Sequence, residues 1–240
     1  FDNNDRPGIL LSSAIKRFAD YFGVACGEKN ILFTNNDSAY ETAISLIQKG
    51  INVEAIIDNR EEVDSKLTYE VEKNNIKIYK GHTVTNTFGY KRINKVTIMQ
   101  LSKDGQKVVG SKINLSCDCL GISGGWTPAV HLFTQSGGKL KFRDEDQVFI
   151  PYSYPSEQLS IGSCNGDFTL DEILTNVPKS LKEFLKIKNT EYDNLEVLSA
   201  TNKLKRNIWL LPSDKILGKT KSFVDYQNDA TAKDIKLALR

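Results

Sequence analysis

An α/β fold with a parallel sheet and a small antiparallel meander is predicted by three observations. Ile31 to Arg60 reads as one complete strand–helix–strand unit. A second strand, small-residue loop and helix follow between Gln158 and Val177, and a block of two-residue alternation from Thr83 to Leu120 stands between the two. Alternating strands and helices favour a parallel sheet covered on both faces, whereas strict two-residue alternation favours hairpins.

The first unit is the most informative. Its apolar run Ile31-Leu32-Phe33 ends in the polar loop Thr34-Asn35-Asn36-Asp37-Ser38, as a buried parallel strand does where it delivers the chain to a helix N-terminus. Asp37 or Ser38 can cap that helix, whose apolar positions Ala39, Ala43, Ile44 and Ile47 recur at helical spacing until Gly50 stops it. Val53 to Ile57 is the next strand and ends in Asp58-Asn59-Arg60. This is the skeleton of a Rossmann half, in which an acidic residue at the position of Asp58 reads a ribose hydroxyl. The loop lacks the glycines of a G-x-G-x-x-G fingerprint, which let the backbone close on a pyrophosphate. Asn35, Asn36 and Ser38 can still donate hydrogen bonds to a phosphate. A working site and a vestigial one both fit this loop.

Along the rest of the chain, Phe1 to Gly8 is a polar loop, and Ile9, Leu10, Ala14, Ile15, Phe18 and Phe22 predict a helix that Gly23 ends. Val63 to Asn74 reads as another helix and Ile76 to Tyr79 as a short strand. The meander has its turn at Lys103-Asp104-Gly105 and leads into a buried strand, Ser116 to Ser123, followed by the Gly124-Gly125 loop, which permits close backbone approach. Gln158 to Gly162 is expected as a strand, Ser163 to Gly166 as a loop, and a helix from about Asp167 as a phosphate-friendly N-terminus. Beyond Pro178 a separate lysine-rich helix is expected to about Lys186, then a polar stretch Lys188 to Asn194 and a loop through Trp209 to Pro212. Phe223 to Gln227 opens a further unit, with Asn228 to Thr231 capping the final helix.

Composition narrows the function. The 240 residues are 40% hydrophobic and 26% charged, ordinary for a soluble globular protein, and no stretch reaches the length of a membrane span. A net charge of +2 with dispersed lysines argues against nucleic acid or an anionic membrane as partner. Cys26, Cys117, Cys119 and Cys164 form neither a CxxC nor a zinc pattern, and His82 and His131 stand alone, so no metal site is expected. Reduced, structural thiols in a cytoplasmic protein are the expectation. Cys117-x-Cys119 is placed on one face of a buried strand, which removes a disulfide-reductase reading, and His131 has no sequence neighbour to make it catalytic. The first residue is Phe1 and the last residues read as an unfinished amphipathic helix, so the chain is expected to be a piece of a longer one.

Taken together, FDNNDRPGI (1–9), FTNNDSAY (33–40), ISGGWTPAVHLFTQSGGKL (122–140), IGSCNGDFTL (161–170) and FVDYQNDATAKDIKLALR (223–240) resemble the alpha subunit of heterotetrameric sarcosine oxidase from end to end. The resemblance implies a two-dinucleotide-binding-domain flavoprotein fold. Residues 1–122 would be a nested Rossmann-like FAD/NAD(P)-type domain, 123–187 the C-terminal part of an outer domain, and 188–240 a linker and small helical module leading to a folate-binding domain beyond this chain. It also implies a complex that oxidises sarcosine at flavins, FMN and FAD, held mainly by another subunit, and passes a one-carbon unit to tetrahydrofolate. This chain, without flavin chemistry of its own and inactive as a fragment, would bind NAD through Gly162, Ser163, Cys164, Asn165, Phe168, Thr169 and Leu170, with Ser123, Gly124 and Gly125 beside it. The relatives more often have small alanine and glycine residues where this chain reads Ser163-Cys164-Asn165. Related flavoenzymes carry an iron–sulfur module near the tail, but Asp225 and Gln227 stand where its cysteines would be and cannot act as thiolate ligands.

Overall fold

The computed structural model describes residues 1–240 apart from 64, 156, 188–207, 209 and 215–220. The expected polar stretch Lys188 to Asn194 and the residue Trp209 lie outside the described residues. The chain divides into two compact units, Phe1–Gly125 with 201–240, and Trp126–Ala200.

The first unit is organised around a five-stranded parallel sheet. Its strands are β1 (Ile9–Leu11), β2 (Asn30–Thr34), β3 (Val53–Asp58), β4 (Lys77–Lys80) and, after the meander, β8 (Cys119–Ser123), in the spatial order β1-β8-β2-β3-β4. Helices α1 (Ser12–Phe22), α2 (Ser38–Gln48) and α3 (Lys66–Lys73) connect successive strands. The meander is β5 (His82–Phe88), β6 (Lys95–Leu101) and β7 (Val108–Ser116). All five residues of β2 are buried, as its central place requires. Alternation along β2 supplies two cores: Leu32 packs with Ile15, Ala39, Tyr40, Ala43 and Leu46 on the helix side. Ile31 and Phe33 pack with Val84, Val96 and Ile98 on the meander side.

The expected helix from Ile9 begins instead at Ser12, because Ile9, Leu10 and Leu11 pair with Leu120, Gly121 and Ile122 of β8. Their apolar run suits either element, and the ladder beside β8 decides for the strand. Gly23 ends α1 in the left-handed conformation, φ 62°, with its N–H bonded to Phe18. The strand expected over Ser116 to Ser123 starts only at Cys119. Asp118 turns aside, and its carboxylate accepts the backbone N–H groups of Glu28 and Lys29 at 3.0 and 2.8 Å. For the same reason the two cysteines do not share a face: Cys117 joins the meander-side core and Cys119 the helix-side core. The turn between them resets the two-residue period.

At the tail, β11 (Phe223–Asp225) and β12 (Ala230–Thr231) pair and lead into α6 (Ala232–Ala238), at whose start Asp234 Oδ2 accepts the backbone N–H of Thr231 at 2.9 Å and its hydroxyl at 2.6 Å. This hairpin is tied to the start of the chain, where the Asn4 side chain both accepts from Phe223 N and donates to Phe223 O at 2.8 Å.

The second unit holds α4 (His131–Gln135), the hairpin β9 (Lys139–Arg143) and β10 (Val148–Ser153), a 3-10 turn (Gly162–Asn165) and α5 (Leu170–Leu185). Ile161 is extended, but Gln158 to Ile161 joins no sheet, so the strand expected there is absent. The two helices expected around Pro178 are one, with Pro178 inside α5.

Candidate functional site

Residues at the C-terminal ends of parallel strands form the crevice where open α/β folds receive ligands. Here Asp58, Thr34 and Ser123 stand side by side in register at the ends of β3, β2 and β8. The loop that follows β2 is closed on itself. Asn36 Oδ1 accepts the N–H of Ser38 at 3.0 Å and its hydroxyl at 2.7 Å, so the cap of α2 comes from Asn36 rather than from the side chain of Asp37. Asn36 N donates to Thr34 Oγ1 at 3.1 Å, and Asn35 N to Ser123 O at 3.3 Å. The amide of Asn36 reaches Asn35 Oδ1 at 2.8 Å and Ser123 O at 3.2 Å, while the Asn35 amide bonds Gly124 O at 3.1 Å. Ser38 and Ser123 hydroxyls meet at 2.6 Å.

Asp37, the formal N-cap of α2, points its carboxylate at a guanidinium. Arg60 Nη1 lies 2.8 Å from Asp37 Oδ1 and Nη2 lies 2.8 Å from Asp58 Oδ2. The second oxygen of Asp58 accepts Arg60 Nε at 3.1 Å and the Arg60 backbone N–H at 2.9 Å. Tyr40 completes the group with a 2.9 Å hydrogen bond to Asp58. Asp58 is 0% exposed and Arg60 4%, so these charges interact in a low-dielectric setting. Burial, with the adjacent Asp58 carboxylate, pushes the Tyr40 phenol far above its ordinary range. Burial opposes the charge on Arg60, but the bonds to Asp58 and Asp37 outweigh it and hold the guanidinium protonated. The sequence signal for this bridge was the Asp58-x-Arg60 pair at a strand end, which suggested a ribose contact instead.

The residues Gly162 to Leu170 lie in the second unit. Gly162 has φ 63° and Gly166 φ 89°, both left-handed, and the intervening turn bonds Asp167 N back to Gly162 O at 3.2 Å. The N-terminus of α5 carries a full capping box: Glu172 takes the backbone N–H groups of Phe168 and Thr169 at 3.1 Å each, and Thr169 Oγ1 accepts Glu172 N at 3.3 Å. Carboxylates of Asp171 and Glu172 thus occupy the end of the helix that favours negative charge. Asp167, the expected start of this helix, sits beside the loop and accepts the Asn176 amide at 2.9 Å. Cys164 is exposed. In the first unit, Gly124 and Gly125 leave open space, since a Cβ at either would meet no atom within 4 Å.

His131 begins α4 and is exposed. Among the described residues no group of His, Cys, Asp and Glu side chains is arranged to hold a metal ion, and no helix is long and apolar enough to cross a membrane.

The sheet order, the crevice and the meander define a Rossmann-like fold of the kind found in FAD- and NAD(P)-binding oxidoreductases. Solved structures share it: a 2-naphthoyl-CoA reductase aligns with a TM-score of 0.53 at 16% identity, over 79% of this chain and 25% of that one. An HOCl-induced flavoprotein disulfide reductase from Escherichia coli aligns with a TM-score of 0.52 at 14% identity, over 75% of this chain and 39% of that one. In sequence, the chain is similar along its whole length to the alpha subunits of sarcosine oxidase. It is 29% identical to that of Corynebacterium sp. (strain U-96) over 244 residues, 98% of this chain and 25% of the relative. It is 26% identical to that of Rhizobium meliloti (strain 1021) over 251 residues, 100% of this chain and 23% of the relative. The chain therefore spans about a quarter of the length of these relatives. No family model matches the sequence.

Proposed function

We propose that this chain is the dinucleotide-binding part of the alpha subunit of a sarcosine oxidase-like complex, a cytoplasmic oxidoreductase acting on CH–NH donors. The single observation that carries the reading is end-to-end similarity to sarcosine oxidase alpha subunits across 98% of the chain. In this reading residues 1–122 are the nested domain, 123–187 the returning part of the outer domain, and 188–240 the connection to a folate-binding domain. The amine is oxidised at FMN and FAD held mainly by another subunit, tetrahydrofolate accepts the one-carbon unit, and this chain binds NAD. The partners are the other subunits of the complex, with no nucleic acid and no membrane.

The NAD contacts are assigned to Gly162, Ser163, Cys164, Asn165, Phe168, Thr169 and Leu170; Ser123, Gly124 and Gly125, expected beside them, lie in the first unit, where the Ser123 carbonyl and hydroxyl are bonded to the loop 34–38. The left-handed Gly162 supports this, because backbone without a Cβ can approach a ligand closely. The Phe168 and Thr169 N–H groups are already bonded to Glu172. A second reading, a scaffold without any nucleotide, is favoured by the self-bonded loop 34–38 alone. Native mass spectrometry of the assembled complex, with ultraviolet spectra of the released cofactor, separates the two. One nicotinamide dinucleotide per alpha chain is expected, and none would leave the scaffold.

A further inference from the structure

A dinucleotide in a crevice of this kind needs two places: the helix N-terminus after the central strand for the pyrophosphate, and the acidic end of the next strand for the ribose. In the first unit these are the N-terminus of α2 and Asp58 at the end of β3. Both are taken by the chain itself. Asp37 puts a carboxylate at the α2 N-terminus, Asp58 has both oxygens bonded, and Arg60 joins them at 2.8 Å on each side. The backbone N–H groups of Asn35, Asn36 and Ser38 are spent on Ser123 O, Thr34 Oγ1 and Asn36 Oδ1. Asp37, Asp58, Asn59 and Arg60 are each no more than 4% exposed, so the filling is packed rather than a loose surface cluster.

We infer that Arg60 is a specificity-determining residue: its bridge between Asp37 and Asp58 closes this crevice to dinucleotides, so that any nucleotide bound by the chain lies elsewhere. Two carboxylates face one guanidinium, so a pyrophosphate approaching α2 would meet Asp37 rather than free N–H groups. To displace Arg60 it would leave two buried carboxylates without their counter-charge, which is strongly unfavourable in a low-dielectric interior. The inference deepens the function proposed above in one respect, that it confines the dinucleotide to the other site, but its structural basis is independent of that site.

The test is photoaffinity labelling of the assembled complex with 8-azido-NAD, with labelled peptides mapped by mass spectrometry. In the wild type, residues 34–60 are expected to carry no label above that left by an excess of unlabelled NAD, and competable label there overturns the inference. In the Asp37→Ala/Arg60→Ala variant, which takes the Asp37 carboxylate and the guanidinium away from the α2 N-terminus and leaves Asp58 to receive a ribose, label on residues 34–60 is expected to rise at least tenfold. A variant with wild-type near-ultraviolet circular dichroism and no such rise also overturns it. A wild type with no label anywhere, beside a variant labelled at 34–60, supports the inference while contradicting the NAD-binding function.

Discussion

The guanidinium of Arg60 grips the carboxylate of Asp58 through two nitrogens, Nε at 3.1 Å and Nη2 at 2.8 Å, with both side chains buried. Such a pair fixes the geometry of two strand ends and a helix start at once, because Asp37 of the β2–α2 loop shares the same guanidinium. Replacing Arg60 with Met keeps most of the volume but strands both carboxylates. The expected loss is about 3–5 kcal/mol in urea unfolding followed by fluorescence. Tyr40→Phe removes only one donor and is expected to cost about 1–2 kcal/mol. Equal costs for the two variants would show that the charge bridge contributes nothing beyond a single hydrogen bond.

Helix α1 lies against β8 at Gly121. A Cβ there would stand 2.5 Å from Leu32 Cδ2 and 2.9 Å from Ile15 Cδ1, and its backbone angle is not the constraint. Gly121→Ala is therefore expected to destabilise by about 1–3 kcal/mol through overpacking, and Leu32→Val in the same chain should recover part of it. A thermal melt of the single and double variants reads this directly, and an unchanged melting temperature in Gly121→Ala would mean that the helix is not held so close.

The cysteines should separate sharply by reactivity. Burial pushes the Cys117 and Cys119 thiols up to about 12, and it raises Cys26 as well, whereas Cys164 is exposed. With iodoacetamide at pH 8, peptide mass spectrometry is expected to find Cys164 alkylated first and Cys117 and Cys119 only after urea is added. Because the folded values of Cys117 and Cys119 exceed the ordinary thiol value of 9.0, the unfolded chain loses these protons first as pH rises. Stability is full below about pH 9 and falls between about pH 9 and 12. Alkylation of Cys119 at the rate of Cys164 in the folded protein would contradict its placement in the core.

The capping box of α5 gives a further test. Thr169→Ala removes the acceptor for Glu172 N and is expected to cost about 1 kcal/mol. Glu172→Gln keeps the shape but weakens a charge-assisted bond to Phe168 and Thr169, so its loss should be smaller and should diminish in high salt. Urea titrations at low and high sodium chloride compare the two, and a larger, salt-independent loss in Glu172→Gln would contradict it.

Much of the first unit was readable in the sequence because its signals are local. Strands β2 and β3 are short apolar runs bounded by polar loops, and α2 has a clear period and a glycine stop. The three-residue strand β1 was not readable, since Ile9, Leu10 and Leu11 fit a helix face equally well and only β8, more than a hundred residues later, holds them extended. The β9–β10 hairpin was passed over although Leu140, Phe142, Val148 and Ile150 alternate around a turn. Its tight connection places Gln147 at φ 56°, a conformation no residue type announces as glycine does. At the candidate site, the residues of the crevice were identified but not their use. Whether Asp58 faces a ribose or an arginine depends on how Arg60 folds back across the strand end, which no spacing rule contains.

The proposed function requires the dinucleotide to be held by the loop after Ile161 and not by the loop after β2. The most direct measurement is the amount of nicotinamide dinucleotide released per alpha chain from the purified complex, compared among wild type, Gly162→Val, Gly162→Asn and Asn36→Ala. Gly162 has φ 63°, where valine is strained by about 1–2 kcal/mol but asparagine is tolerated, so the asparagine variant adds a side chain without forcing the backbone. Both Gly162 variants are expected to lose the dinucleotide, while Asn36→Ala, though less stable without its cap, keeps one per chain. Loss from Asn36→Ala with full retention in the Gly162 variants would place the dinucleotide in the first crevice and overturn the assignment to the loop after Ile161.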